Sequence, residues 1–131
     1  MSEQMPPPPA PGTIGWADLT VPDATALRDF YQAVAGWTPM ALGMGDYEDF
    51  VMQAPDGSPV AGVCHARGAN AALPPVWLVY ITVPDLDAAT RRCVELGGQL
   101  LAEPRSAGPG SYCVIRDPAG AVAALYQPAA M

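Results

Sequence analysis

Three side chains of this sequence can exchange protons from within apolar segments. They are Asp18 in Trp16-Ala17-Asp18-Leu19-Thr20, His65 in Val63-Cys64-His65, and Tyr80 in Leu78-Val79-Tyr80-Ile81. A carboxylate, an imidazole and a phenol together span the pKa range that general acid–base chemistry draws on. His65 is the sole histidine, and imidazole is the side chain that titrates near neutrality unaided. Successive residues of a strand face opposite sides, so Trp16, Asp18 and Thr20 share a face if their segment is a strand, as do Leu78, Tyr80 and Thr82. An aromatic floor with one carboxylate and one phenol suits a small-molecule site, which is mostly apolar with a few orienting polar groups. Two readings stay open. Trp16 and Tyr80 form either that floor or part of the core, and Asp18 serves either a ligand or a neighbouring strand or turn, because a carboxylate in an apolar strand is costly without a partner.

Other candidates are weaker. Tyr112 and Tyr126 lie on two strand candidates that form a hairpin and can line the same cavity as Tyr80, or pack in the core. Met52, with Met40 and Met44, offers adaptable apolar contact to a flat ligand, or fills gaps. Arg105 and Arg116 can anchor an acidic ligand, although nothing nearby in sequence singles them out. Asp46-Tyr47-Glu48-Asp49 reads as a solvated acidic turn. Nucleophile-elbow, P-loop and dinucleotide-binding motifs are absent, and Cys64, Cys93 and Cys113 form no C-x-x-C pair.

Composition narrows the partners. The 131 residues suit one domain, and six arginines against thirteen acidic residues leave a net charge of −7. Such a surface repels nucleic acid and anionic membranes. No apolar run is long enough to span a bilayer. The N-terminus carries no charged and apolar leader, and the odd, scattered cysteines read as reduced thiols, so a cytoplasmic location is expected. Residues 1–12, with Pro6 to Pro9 and Pro11, read as a disordered, polyproline-like tail ahead of a single domain at 13–131.

That domain contains a repeat. Leu19-Thr20-Val21-Pro22-Asp23 returns as Ile81-Thr82-Val83-Pro84-Asp85, an offset of 62, and Ala54-Pro55-Asp56-Gly57 returns as Asp117-Pro118-Ala119-Gly120, an offset of 63. Module one spans 13–66, a Gly/Pro-rich linker 67–75, and module two 76–128. Each module predicts a strand (13–21 and 76–83), then a helix capped by Asp23 or Asp85 and closed near Gly36 or Gly97-Gly98. Leu27, Phe30, Tyr31 and Val34 mark the apolar face of the first helix, and Leu86, Ala89, Cys93 and Leu96 that of the second. Three strands follow, at 37–42, 49–53 and 59–65, and again at 99–103, 111–116 and 121–127, with Pro/Asp/Gly turns between the last two of each set. The fold class is therefore α+β, built from two tandem βαβββ modules.

A tandem βαβββ repeat with Trp16-Ala17-Asp18-Leu19-Thr20-Val21-Pro22-Asp23, then Phe30-Tyr31 and Gly36-Trp37, resembles the vicinal-oxygen-chelate superfamily, the glyoxalase/bleomycin-resistance fold. Trp77 to Val83 and the terminal Asp117-Pro118-Ala119-Gly120 look like its glyoxalase-like branch, typified by actinomycete proteins often labelled hydroxylase or antibiotic-binding. The resemblance implies curved mixed sheets around a cleft, and in many members a divalent metal held by His, Glu or other carboxylates on the first and last strand of each module. The corresponding positions here are Trp16 and Leu78, and positions near Ala61 and Ala124. Neighbouring registers reach only Val60, Gly62, Val63, Val122, Ala123 and Leu125, none with a donor side chain. His65 and Cys64 would point to opposite faces of a strand, so neither metal nor cofactor is expected.

These observations favour a metal-independent protein that binds a hydrophobic or aromatic natural product, as sequestering resistance members of the superfamily do. The ligand would contact Trp16, Asp18, Met52, Leu78, Tyr80, Tyr112 and Tyr126. The alternative is a metal-independent cyclase, isomerase or lyase using Asp18, Tyr80 or His65. The resemblance also implies a homodimer.

Overall fold

The computed structural model describes residues 10–129. In order, the chain forms β1 (Ile14–Val21), α1 (Ala24–Ala35), β2 (Thr38–Gly43), β3 (Glu48–Gln53), β4 (Pro59–His65), a 3-10 turn (Gly68–Asn70), β5 (Trp77–Thr82), α2 (Leu86–Glu95), β6 (Gln99–Ala107), β7 (Gly110–Arg116) and β8 (Val122–Gln127). The fold is α+β, and the βαβββ order occurs twice, as the internal repeat predicts. The described residues divide into two compact units, residues 16–78 and residues 10–15 together with 79–129.

In the first unit the strands lie in the order β2-β3-β4-β1, with β1 parallel to β4 and the other neighbours antiparallel. The second unit repeats this as β6-β7-β8-β5, with β5 parallel to β8. In each module the helix supplies the crossover that lets the first strand run parallel to the last, a connection a tight hairpin cannot make. Both helices begin where Pro-Asp predicts. Asp23 accepts from the Ala26 N–H and Asp85 from the Ala88 N–H, each at 3.1 Å. Gly36 closes α1 with a left-handed φ of 75°.

In the first core, Leu27 and Tyr31 of α1 pack on Leu19, Val21, Phe50, Met52 and Val63. Tyr31 meets Trp37 and Trp77 at ring separations of 5.8 and 5.2 Å, and the Trp77 indole donates to its hydroxyl at 3.2 Å. Phe30 and Val34 depart from the expected buried stripe, at 52% and 66% exposure. The face that meets the sheet runs through Ala24, Leu27 and Tyr31, which turns Phe30 and Val34 outward. In the second core, Leu86 and Ala89 pack with Ile81, Val83, Cys113, Ile115 and Leu125. Leu96 is exposed because α2 ends at Glu95, one residue before it.

Strand β6 runs to Ala107, past the expected end at 103, because two register shifts let it stay paired with β7. Residues 1–9 of the expected tail lie outside the described residues. Gly12, assigned to that tail, instead donates to the Thr82 carbonyl at 2.7 Å, and Thr82 donates to Thr13 at 2.8 Å. Among the described residues no helix is long and apolar enough to cross a membrane.

Candidate functional site

Leu19 and Val21 pack beneath α1, so alternation turns Trp16, Asp18 and Thr20 to the opposite face of the first unit's sheet. Asp18 is paired with Gly62 of β4, and Thr20 with Cys64. The Trp16 indole N–H donates a 2.6 Å hydrogen bond to Asp18 Oδ1. Gly62 makes the room for this pair: a Cβ there would collide with Asp18 Oδ1 and stand 3.6 Å from Trp16 Nε1. Asp18 thus finds a partner on its own strand, which answers the cost of placing a carboxylate among apolar residues. Leu78 is 4% exposed and shares a small recess with Thr20, the linker residues Leu73 and Pro74, and Val76 just before β5.

Met52 leaves the predicted ligand-contact set. It is fully buried in the core under α1, on the side away from Asp18, and it is Val51, paired with Gly62, that shares the Asp18 face. The thioether fills core volume there. A related shift affects β4. Its register with β3 slips between Met52 and Gln53, adding a residue near Val60, so Gly62, and not Ala61, occupies the face position equivalent to Ala124. The same extra residue explains why the repeat offset changes from 63 at the turns to 62 on the strands.

In the second unit, Tyr80 pairs with Ala124 and Tyr112 with Tyr126. Ile81, Cys113 and Leu125 lie in the core with α2, so Tyr80, Tyr112 and Tyr126 occupy the opposite face together. The rings of Tyr80 and Tyr112 are 5.7 Å apart. Arg105, paired with Tyr112, lays its guanidinium over that ring at 5.6 Å. Tyr126 packs against Gly110, where a Cβ would stand only 2.6 Å from its hydroxyl oxygen, so this phenol is wedged over the β7 backbone. The three tyrosines share one face of the second unit's sheet, with Arg105 beside Tyr112.

His65 ends β4 with its side chain 16% exposed. Asp49 Oδ1 accepts its backbone N–H at 2.9 Å and stands 3.5 Å from Nδ1, which is buried without a hydrogen-bond partner. The Tyr47 ring meets the imidazole edge-on at 5.6 Å, and Arg67 covers Tyr47 at 4.3 Å. Asp49 is therefore no solvated turn residue. It is 9% exposed and fastens the end of β4, a role that follows from placing it inside the strand at 49–53. Burial pushes the Cys64 thiol pKa up, reinforced by the Asp18 and Asp49 charges, and burial pushes Cys113 up to about 11. Neither thiol is poised as a nucleophile.

The divalent metal that the resemblance implies does not suit these residues. Trp16, Gly62, Leu78 and Ala124 hold the expected strand positions, and none has a lone pair to donate; the Trp16 N–H is committed to Asp18. Among the described residues no three His, Cys, Asp or Glu side chains converge to hold an ion.

Residues 16–126 match the family model described as a glyoxalase-like domain. The chain is 40% identical over 111 residues to the anthracycline biosynthesis protein DnrV of Streptomyces peucetius, covering 85% of this chain and 40% of DnrV. DauV of Streptomyces sp. strain C5, also named for anthracycline biosynthesis, is 39% identical over the same lengths. Mycobacterium bovis CFP32, whose name carries a provisional glyoxylase assignment, is 35% identical over 122 residues, 88% of this chain and 46% of CFP32. The chain spans less than half the length of these curated relatives. Among solved structures, Mycobacterium tuberculosis methylmalonyl-CoA epimerase superposes with a TM-score of 0.60 at 19% identity, covering 91% of this chain and 89% of that one. Protein BH1468 of Bacillus halodurans gives 0.62 at 14% identity, covering 92% and 96%. At such identities the structural likeness is one of fold. The sequence match carries more, and by it the chain belongs to the glyoxalase-like domain family of the vicinal-oxygen-chelate superfamily.

Proposed function

We propose that this chain binds a hydrophobic, aromatic natural product without a metal, in the manner of a sequestering resistance protein. The 2.6 Å bond from Trp16 to Asp18 carries this reading. A carboxylate already tied to an indole N–H is a weakened proton acceptor, yet it remains a fixed polar anchor beside an aromatic ring. Two relatives named for anthracycline biosynthesis support an aromatic ligand. Burial and stacking supply the affinity: at ~25 cal/mol per Å², a few hundred Å² of apolar contact contributes several kcal/mol before ordering costs. The protein works as a homodimer in the cytoplasm, where its three free cysteines stay reduced. Light scattering that finds a strict monomer at micromolar concentration refutes the dimer.

The Asp49–His65 contact favours a second reading, a metal-independent cyclase, isomerase or lyase in which His65, Asp18 or Tyr80 moves a proton. Calorimetric titration with an anthracycline, alongside a product assay, separates the two. Binding that survives Asp18→Asn with no product formed supports the first; turnover that collapses on that change while affinity survives supports the second.

A further inference from the structure

Strand β2 ends the first unit's sheet and β6 the second's, and the two edges are finished differently. β6 carries two register shifts and the run Glu103-Pro104-Arg105, the irregularity, proline and charge that keep an edge from pairing with another chain. β2 lacks the shifts and the charge. Thr38-Pro39-Met40-Ala41-Leu42-Gly43 pairs with β3 at every residue without a register shift, and it is exposed at every position but Pro39. Among the described residues no strand pairs with its other side. The Met44 N–H donates to the Tyr47 carbonyl at 2.8 Å, which sets the phase of the β2–β3 ladder. Hydrogen-bonded positions alternate in an antiparallel pair, so Thr38, Met40 and Leu42 turn their backbone groups to β3, and Pro39, Ala41 and Gly43 turn theirs to the open side. Pro39 thus stands where the lack of an N–H takes nothing from the ladder.

We propose that β2 pairs antiparallel with β2 of a second copy of this chain, about a twofold axis at Ala41. This rests on the homodimer proposed above and names its interface. Ala41 exchanges backbone hydrogen bonds with its counterpart, and each Gly43 N–H donates to the Pro39 carbonyl of the other copy. Met40 and Leu42, 45% and 42% exposed, pair with Val51 and Asp49 and so extend the Asp18 face. Across the axis Met40 of one copy meets Leu42 of the other at a non-hydrogen-bonded position, where facing side chains approach most closely. The opposite face presents Pro39, Ala41 and Gly43, too small to clash. Charge selects the orientation. In a parallel pair the acidic turn Asp46-Tyr47-Glu48 would lie beside its own copy, whereas the antiparallel pair sets it beside the uncharged Gly36-Trp37-Thr38, in a chain of net charge −7. A single strand pair buries less than about 1,200 Å², the range of weak, reversible complexes, so monomer and dimer should exchange at micromolar concentration.

Sedimentation equilibrium of the full chain tests this. Wild type should dimerise with a micromolar dissociation constant. Ala41→Pro removes the central donor while adding a residue that this edge already carries at Pro39, and it should weaken the dimer about tenfold to a hundredfold. Leu101→Lys, an exposed position on β6, should leave the dimer unchanged. Met40→Glu and Leu42→Lys should each be monomeric alone. Mixing those two variants should restore a dimer, because the antiparallel register sets the new carboxylate beside the new amine. That mixture decides even if Ala41→Pro fails to fold, since both side chains are exposed. A dimer that survives Ala41→Pro or Leu42→Lys, or a mixture that stays monomeric, overturns the β2 pairing and leaves the homodimer standing. A strictly monomeric wild type overturns both.

Discussion

Asp18 and Gly62 face each other across the parallel pair β1 and β4, and the carboxylate of one fills the space where the other has no side chain. The strand position where the superfamily resemblance would put a metal ligand is thus given over to housing an indole–carboxylate pair. Gly62→Ala should force Asp18 off the Trp16 N–H and cost about 2 kcal/mol of stability. Urea denaturation measures the cost, and a shift in the tryptophan emission of the native state reports the broken bond.

The bond itself can be isolated with a thermodynamic cycle. Trp16→Phe keeps a ring but removes the indole donor to the half-buried carboxylate, at about 1 kcal/mol. Asp18→Asn keeps an oxygen acceptor and should cost less. The double variant should show about 1 kcal/mol of coupling by denaturation. Strict additivity would mean the pair does not interact in solution.

Asp49 and His65 form the comparable polar contact at the end of the first unit's sheet. Asp49→Ala strips the His65 N–H of its acceptor and should destabilise the chain by about 1–2 kcal/mol, while Asp49→Asn, still able to accept, should recover most of that. Amide hydrogen exchange at His65 gives a local readout, fast in the alanine variant and slow in wild type.

Much of this architecture was legible in the residue pattern. The Pro-Asp caps, the closing glycine at 36 and the paired turns depend on local chemistry, and each appears where the repeat places it. Alternation set Tyr80 on one face with Leu78 and Thr82 but left Tyr112 and Tyr126 between cavity and core; the pairing of Tyr112 with Tyr126 and of Tyr80 with Ala124 puts the three on one face. Alternation fails where strands are irregular. The slip in β4 moves the face position from Ala61 to Gly62, and the two shifts in β6 bring Arg105 over Tyr112, events that depend on pairing between strands and leave no periodic trace in either one. Met52 was misread for a different reason. A strand buried under a helix and a strand lining a pocket share one apolar pattern, and only the packing of Leu27 and Tyr31 tells which face is covered.

The buried thiol of Cys113 makes stability fall at alkaline pH. Its pKa rises from the ordinary 9.0 to about 11, chiefly because burial disfavours the thiolate. Below pH 9 both folded and unfolded chains hold the proton and the full stability is present. As pH climbs from 9 toward 11 the unfolded chain loses that proton first, so unfolding is increasingly favoured. Cys64, raised in the same direction, adds to the slope. Urea midpoints at pH 7 and pH 10 should therefore differ more for wild type than for Cys113→Ala, even though the variant is less stable at pH 7 for want of packing against Leu86 and Leu125. Identical pH slopes for the two proteins would show that the Cys113 thiol ionises as readily folded as unfolded.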